Sequence, residues 1–344
     1  MIKGLSHLAF QIFTLFSIVT IVFFLFSNSF PDPSSTLIGQ NTDKKTQQAI
    51  IEELGLNKPL RHQYIDYLID LSPISFQKEI PKKAYVLRNF GHKSLLLKYP
   101  NLRRSFQSRE WVIDLLWDGF KNTGILALSA ILLASILGIF FGVLSGLYPH
   151  LTFSKVVVVL SMFGISAPSF FVAIIFSWLF GYVLEEQTHL SMVGSLYETD
   201  LSGEKILQLK NLLLPTLVLG IRPLSIITQL MRNSIIDEKD QQYIVFARSK
   251  GLSQKSIIKK HLLPNAINPV LTSISGWFAS LLAGAFFVEY VFNWRGLGLI
   301  TIDALEKSDL PVLMGSILVT ATIFIFINAF LQVIYRKIDP RISQ

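Results

Sequence analysis

The sequence predicts an all-α polytopic membrane protein with six transmembrane helices, and three observations predict it. Hydrophobic residues make up 51% of the 344 and charged residues only 16%, against about 25% charged in ordinary soluble domains. Residues 8–31, 122–154, 156–184, 261–288 and 310–335 hold no Asp, Glu, Lys or Arg, and residues 211–231 hold only Arg222. Each stretch reaches the ~20 mainly apolar residues that a spanning helix needs. A soluble enzyme and a coiled coil are excluded. The absence of cysteine also excludes a disulfide-stapled domain and thiolate metal sites.

Taken in order, residues 1–7 form a tail and residues 8–30 the first span. Lys3 before an apolar run has the look of a signal peptide. The run exceeds the usual ~7–15 residues and no small-x-small site follows it, so it reads as an uncleaved span. Residues 31–119 form a polar region with short helices. One is expected at residues 43–54, capped by Gly55. Asn57 and Pro59 open a second, with Leu60, Tyr64, Tyr67, Leu68 and Leu71 on one face until Ser72-Pro73 stops it. Residues 74–109 have no strong period. Trp111, Leu115 and Leu116, with Trp117 beside them, read as an amphipathic helix lying at the membrane interface.

Residues 120–337 form a five-helix core with spans at about 122–147, 156–184, 210–231, 266–288 and 311–335, and residues 338–344 a second tail. Pro168 breaks span three, and Pro215 and Pro223 interrupt span four. Gly138, Gly142 and Gly146 make a small-xxx-small stripe suited to close helix packing.

Loop charge sets orientation. Residues 232–261 carry seven Lys/Arg against Asp237, Glu238 and Asp240, whereas Glu185, Glu186, Glu198, Asp200 and Glu204 mark an acidic loop on the other side. By the positive-inside rule both termini are cytoplasmic, in a bacterial inner membrane. The first loop is basic, with thirteen Lys/Arg, but loops beyond about 60 residues translocate largely regardless of charge. The formal charge of +8 comes without a basic stripe interleaved with aromatics, so it reads as contact with anionic lipid and not with nucleic acid.

The informative loop spans residues 232–265. It reads as helix, Gly break, helix, Pro break. Residues 241–250 form a helix with Tyr243, Phe246 and Ala247 on one face. Gly251 permits a left-handed exit, Ser253 caps a second helix, Pro264 ends that helix and Pro269 opens span five. Such a helix can dock in a groove of another protein, and an ordinary basic membrane-surface loop would carry the same residues.

Ala247, Gly251 and Leu263-Pro264 resemble the EAA loop of ABC-importer permeases. The likeness extends further: Glu53-Leu-Gly-Leu-Asn-Lys-Pro59, the run from Leu282-Ala-Gly-Ala285 through Glu289 and Trp294 to Gly298, Ile302-Asp-Ala-Leu305, Asp309-Leu-Pro311 and Asp339-Pro-Arg341 are similar to segments of the B-type dipeptide and oligopeptide permeases. Departures are Gln241 and Gln242 for acidic residues, Val245-Phe246 for Arg-Thr and Arg295 for Pro. Some twenty extra residues near 75–98 add to these.

The resemblance implies a type I ABC importer permease fold, with Tyr243, Ala247, Lys250, Gly251, Leu263 and Pro264 in the ATPase-coupling loop. It implies a homologous second permease, two cytoplasmic ATPase subunits or domains, and an extracytoplasmic substrate-binding protein. The chain has no G-x-x-x-x-G-K-[ST] cradle, so ATP and Mg would be bound by the partner ATPases and the chain itself is not an enzyme. Di- or oligopeptides are the expected cargo; nickel chelates, opines and sugars remain alternatives within the family. A self-sufficient secondary transporter would carry mid-membrane carboxylates, and the apolar stretches hold none.

Arg222 is the lone charge within a span. A central Arg costs roughly 2.5–3.5 kcal/mol on insertion scales, which about ten Leu, Ile or Val neighbours offset. It either lines the pathway and attracts a carboxylate, or pairs with carbonyls freed by Pro223 or with a partner subunit. Ser166, Pro168 and Pro223 are further pathway candidates. Glu289, Trp294 and Asp303 are candidates for an outer gate or binding-protein contact, against the plain alternative of solvated loop charge. The six His residues have no ligand spacing, so no metal is expected.

Overall fold

The computed structural model describes residues 2–29, 57–77, 84–90, 93–199 and 202–338. The expected helix at 43–54 and the Asp339-Pro-Arg341 segment lie outside the described residues. The chain divides into two compact units, Met1–Gly119 with Ile300–Ala321, and Phe120–Leu299 with Thr322–Gln344.

In the first unit, α1 (Ile2–Ser29) is the expected first span and α2 (Leu60–Leu71) follows Pro59. Tyr67 and Phe106 are buried with Val19 and Phe23 of α1 and with Leu310 and Met314. The Phe23 and Tyr67 rings stack at 5.6 Å, and the Tyr64 and Thr20 hydroxyls meet at 2.7 Å. Leu60, by contrast, is exposed. The stretch without a period is an antiparallel sheet of β1 (Ile74–Gln77), β2 (Ala84–Phe90) and β3 (Lys93–Lys98), in order β1-β3-β2. Residues 74–77, 84–90 and 93–98 thus make a small sheet, in a region expected to hold only short helices. Its outer strand exposes Tyr85, Val86 and Arg88 together, so no in–out alternation marks it.

The interfacial helix expected around Trp111 does not exist as a separate element. The helix α3 runs unbroken over Val112–Leu147, because no proline separates residues 112–121 from the apolar stretch and Asp114 suits the first turn. Span three is the pair α4 (Thr152–Ser166) and α5 (Ser169–Trp178), the latter extended by a π-helical turn at Leu179–Val183. The two halves bend by 108°. Pro168 is the cause: a residue before proline avoids the α region, and Ala167 sits at φ −70°, ψ 129°. A four-residue helix, α6 (Glu185–Thr188), and the hairpin of β4 (Tyr197–Thr199) and β5 (Lys205–Leu207) lead on to span four.

Span four is α7 (Lys210–Lys239), and neither Pro215 nor Pro223 interrupts it. Both prolines are buried, and packing by α4 and α5 carries the helix across the missing donors. The loop then forms α8 (Gln242–Ser249), α9 (Gln254–Ile257), a π-helical turn at Ile258–Leu262 and α10 (Leu263–Ala266). Pro264 does not end a helix. The widened turn before it leaves the chain helical through residue 266, and a 47° bend follows into α11 (Asn268–Gly284), where Pro269 occupies the first turn as expected. The chain continues through α12 (Phe286–Val291), α13 (Leu297–Glu306) and α14 (Leu310–Ile338). Among the described residues, four helices are long and apolar enough to cross a membrane, or up to six if each bent pair is one span.

The core of the second unit gathers Leu126, Ala130 and Ala134 of α3, Val218, Ile227, Met231 and Ile235 of α7, and Leu281 of α11. The glycine stripe of α3 meets α7. A Cβ at Gly142 would lie 2.5 Å from the Met231 Cβ and 2.8 Å from the Thr228 carbonyl oxygen. Gly142→Leu should therefore destabilise the protein by about 1–3 kcal/mol through overpacking, read as a lower thermal midpoint in detergent. Gly124→Ala, where nothing lies within 4 Å, serves as the control. Equal midpoints for the two variants would contradict this contact.

Candidate functional site

The loop after α7 is the first site. Gly251 follows α8 with φ +78°, the left-handed exit its sequence position demanded, and its N–H donates to the Arg248 carbonyl at 2.9 Å. Ser253 caps α9 through its hydroxyl, which accepts from the Ser256 N–H. The expected face of α8 is divided, however. Ala247 and Ile244 are buried in the core, while Phe246 is 61% exposed and Tyr243 is half-exposed. Ala247 thus anchors the helix from within, and the outward face is Tyr243, Val245 and Phe246. The Lys250 ammonium stands 4.5 Å from the Phe246 ring centroid. The Tyr243 phenol donates to Glu238 and accepts from the Asn265 amide at 3.0 Å. Burial, and then the Glu238 bond, raise its pKa. Leu263 is half-buried against the core and Pro264 is exposed. Behind α8 lies a cavity of about 280 Å³ lined by Leu147, Ile244, Leu252 and Ile257, with Lys239 and Arg248 at its wall.

The second site, Glu289, Trp294 and Asp303, was expected to be an outer gate or binding-protein contact, or plain solvated loop charge. Glu289 and Trp294 are fully buried. The Glu289 carboxylate accepts from the Thr123 hydroxyl at 2.7 Å and from the Gly298 N–H at 2.6 Å and Leu299 N–H at 3.4 Å. Thr123 in turn accepts from the Leu297 N–H at 2.8 Å. The Trp294 indole N–H donates to the Asn122 carbonyl at 3.1 Å, and the Asn122 amide donates to the Arg295 carbonyl at 2.7 Å. A Cβ at Gly296 would collide with the Glu289 carboxylate, and one at Gly298 would lie 2.5 Å from the Phe286 Cα. The E…W-x-G-x-G pattern is therefore a knot that ties the turn after α12 to the start of span two. Asp303 belongs to the other unit, where it pairs with Lys307 at 3.7 Å.

Sequence reasoning missed Thr123 and Asn122, which carry no signal of their own, and named Asp309 only within the Asp309-Leu-Pro311 match, with no role. Asp309 is buried and accepts from the Ser105 hydroxyl at 2.5 Å and from the Phe106 and Gln107 N–H groups. Of the pathway candidates, Pro223 is buried and cannot line a path, whereas Ser166 and Pro168 are exposed at the α4–α5 bend. Arg222 is exposed, its guanidinium carbon 5.8 Å from the Trp277 ring centroid.

A core of long and bent apolar helices with a short helical loop between spans describes a polytopic helical membrane protein. The comparisons make this specific. Residues 138–344 match the family described as "Binding-protein-dependent transport system inner membrane component", and residues 5–127 match its N-terminal counterpart. The chain is 30% identical to the dipeptide transport system permease protein DppB of Alkalihalophilus pseudofirmus, over 94% of both chains. It is also 30% identical to the di/tripeptide permease of Pseudomonas aeruginosa, over 96% of this chain and 95% of the relative. For the glutathione transport system permease protein GsiC of Escherichia coli the identity is again 30%, over 96% and 94%. Among solved structures, the inward-facing MetNI methionine ABC transporter matches with a TM-score of 0.51 at 17% identity, covering 66% of this chain and 97% of that one. The chain belongs to the family of inner-membrane permease components of binding-protein-dependent transport systems, with a type I importer permease fold.

Burial raises the Glu289 carboxyl from its ordinary 4.5 to about 7, and the Thr123, Gly298 and Leu299 donors pull it partly back. A pKa higher in the folded than in the unfolded state means that the folded state binds more protons between those values. Stability from this group is therefore greatest below about pH 4.5 and falls as pH rises through about 7. Thermal midpoints measured from pH 5 to 8 should decline less in Glu289→Gln than in wild type. Parallel profiles would remove the carboxyl from the account.

Proposed function

We propose that this chain is the permease subunit of an ATP-driven importer of di- or oligopeptides. It pairs with a homologous second permease, two cytoplasmic ATPase subunits or domains and an extracytoplasmic binding protein, with both termini in the cytoplasm. One observation carries the coupling role: α8 ends at a glycine held at φ +78° and exposes Val245 and Phe246 from a basic loop. Exposed aromatic surface on a short helix is what a groove in a partner takes up. The dipeptide, di/tripeptide and glutathione transport named for the relatives supports a peptide cargo. Arg222, Ser166 and Pro168, all exposed, are the pathway positions that remain. The half-exposed Asp303 remains for contact with the binding protein.

Nothing within 4 Å would obstruct a side chain at Gly251, so a substitution there acts through the backbone alone. A β-branched residue at positive φ is strained, whereas Asn tolerates the left-handed region. In reconstituted importer, Gly251→Val should abolish peptide uptake and substrate-stimulated ATP hydrolysis while inserting normally, and Gly251→Asn should retain most of both. Wild-type uptake by the Val variant would sink the coupling role of this turn.

A further inference from the structure

The second unit exposes two chemically different kinds of helix face. The exposed face of α3 is Ile125, Leu128, Leu132 and Ile136, a surface fit for lipid. The unburied residues of α7 include Arg222, Gln229 and Asn233 at spacings of seven and four, which place them on one face. On α11, Thr272, Gly276 and Ser280 are exposed at spacings of four. A guanidinium in mid-span is costly against hydrocarbon and is placed toward protein interior or water. The polar faces of α7 and α11 therefore line a watered route, and Arg222 stands at its middle.

Trp277 of α11 lies under the Arg222 guanidinium at 5.8 Å, joining the two helices at this level. An aromatic face holds the cation without consuming an N–H donor. Among the described residues no Asp or Glu pairs with Arg222. The fork of donors is thus held in place and still open to a planar, bidentate anion.

We propose that Arg222, steadied by Trp277, is a carboxylate-binding position midway along the translocation route, engaging the terminal carboxylate or an acidic side chain of the passing peptide. This rests on the reading of the chain as a peptide importer permease. The test uses the complete importer in proteoliposomes with saturating binding protein, comparing uptake of a neutral dipeptide with that of its C-terminal amide. Arg222→Gln should slow the free dipeptide about tenfold, the worth of a charge-assisted hydrogen bond, and leave the amide unchanged. Arg222→Lys should fall between, and Trp277→Leu should weaken the same discrimination. Equal slowing of both cargoes, or of neither, overturns the proposal. So does loss of permease pairing in Arg222→Gln on size exclusion, since the cation would then serve a partner's carboxylate. Failure of the wild-type complex to import any peptide would instead refute the peptide-importer reading itself.

Discussion

The close approach of α3 to α7 governs the second unit. Lipid tails are as apolar as leucine, so helices in a bilayer associate through dispersion at short range and not through exclusion from water. Gly138, Gly142 and Gly146 supply that range. A Cβ at these positions would come within 2.5–2.8 Å of side-chain carbons of Ile227, Met231 and Ile235. With α3 seated on it, α7 is also packed by α4, α5 and α11. It is the helix that bears Arg222 and leads into the loop of α8.

That loop is bound to the ends of the same two helices. The Lys239 ammonium at the end of α7 donates to the Leu147 carbonyl at the end of α3, at 3.3 Å. Ile244 and Ala247 of α8 are buried in the core that α3 and α7 share. The exposed side of α8 is therefore backed by a packed interior whose close-packed side chains deform little.

Much of this was legible in the sequence, and what was not follows a physical pattern. Local chemistry read correctly: Pro59 before α2, the positive φ of Gly251, the Ser253 cap and the Pro168 break each depend on one or two residues. Prolines inside α7 misled because neighbouring helices, invisible locally, hold the helix across them. The sheet of β1, β2 and β3 escaped because Tyr85, Val86 and Arg88 of β2 are exposed together and the run Leu95-Leu96-Leu97 of β3 shows no apolar–polar alternation in sequence. The side of α8 that carries Ala247 depended on what packs behind it. The burial of Glu289, offered as a gate or contact residue or as solvated charge, escaped because its partners, Thr123 and the Gly298 and Leu299 amides, are brought to it only by the tertiary fold.

Charge in a membrane protein has two uses, and this chain separates them by how completely each charge is satisfied. Glu289 takes three donors, two of them backbone N–H groups, and Asp309 likewise takes a hydroxyl and two N–H groups. Each acid is a buried acceptor that settles loop amides which would otherwise be left unpaired at high cost. Its capacity is spent within the fold, so its role is structural even where a family motif draws attention to it. Arg222 is the opposite case: exposed, held by an aromatic face, and with no described carboxylate to answer it. A cation left exposed in a span costs insertion energy that its apolar neighbours offset only narrowly, and such a group is placed toward protein interior or water. Glu289 and Asp309, inside motifs, hold the fold together, whereas Arg222, outside every motif, keeps its charge exposed beside an aromatic ring.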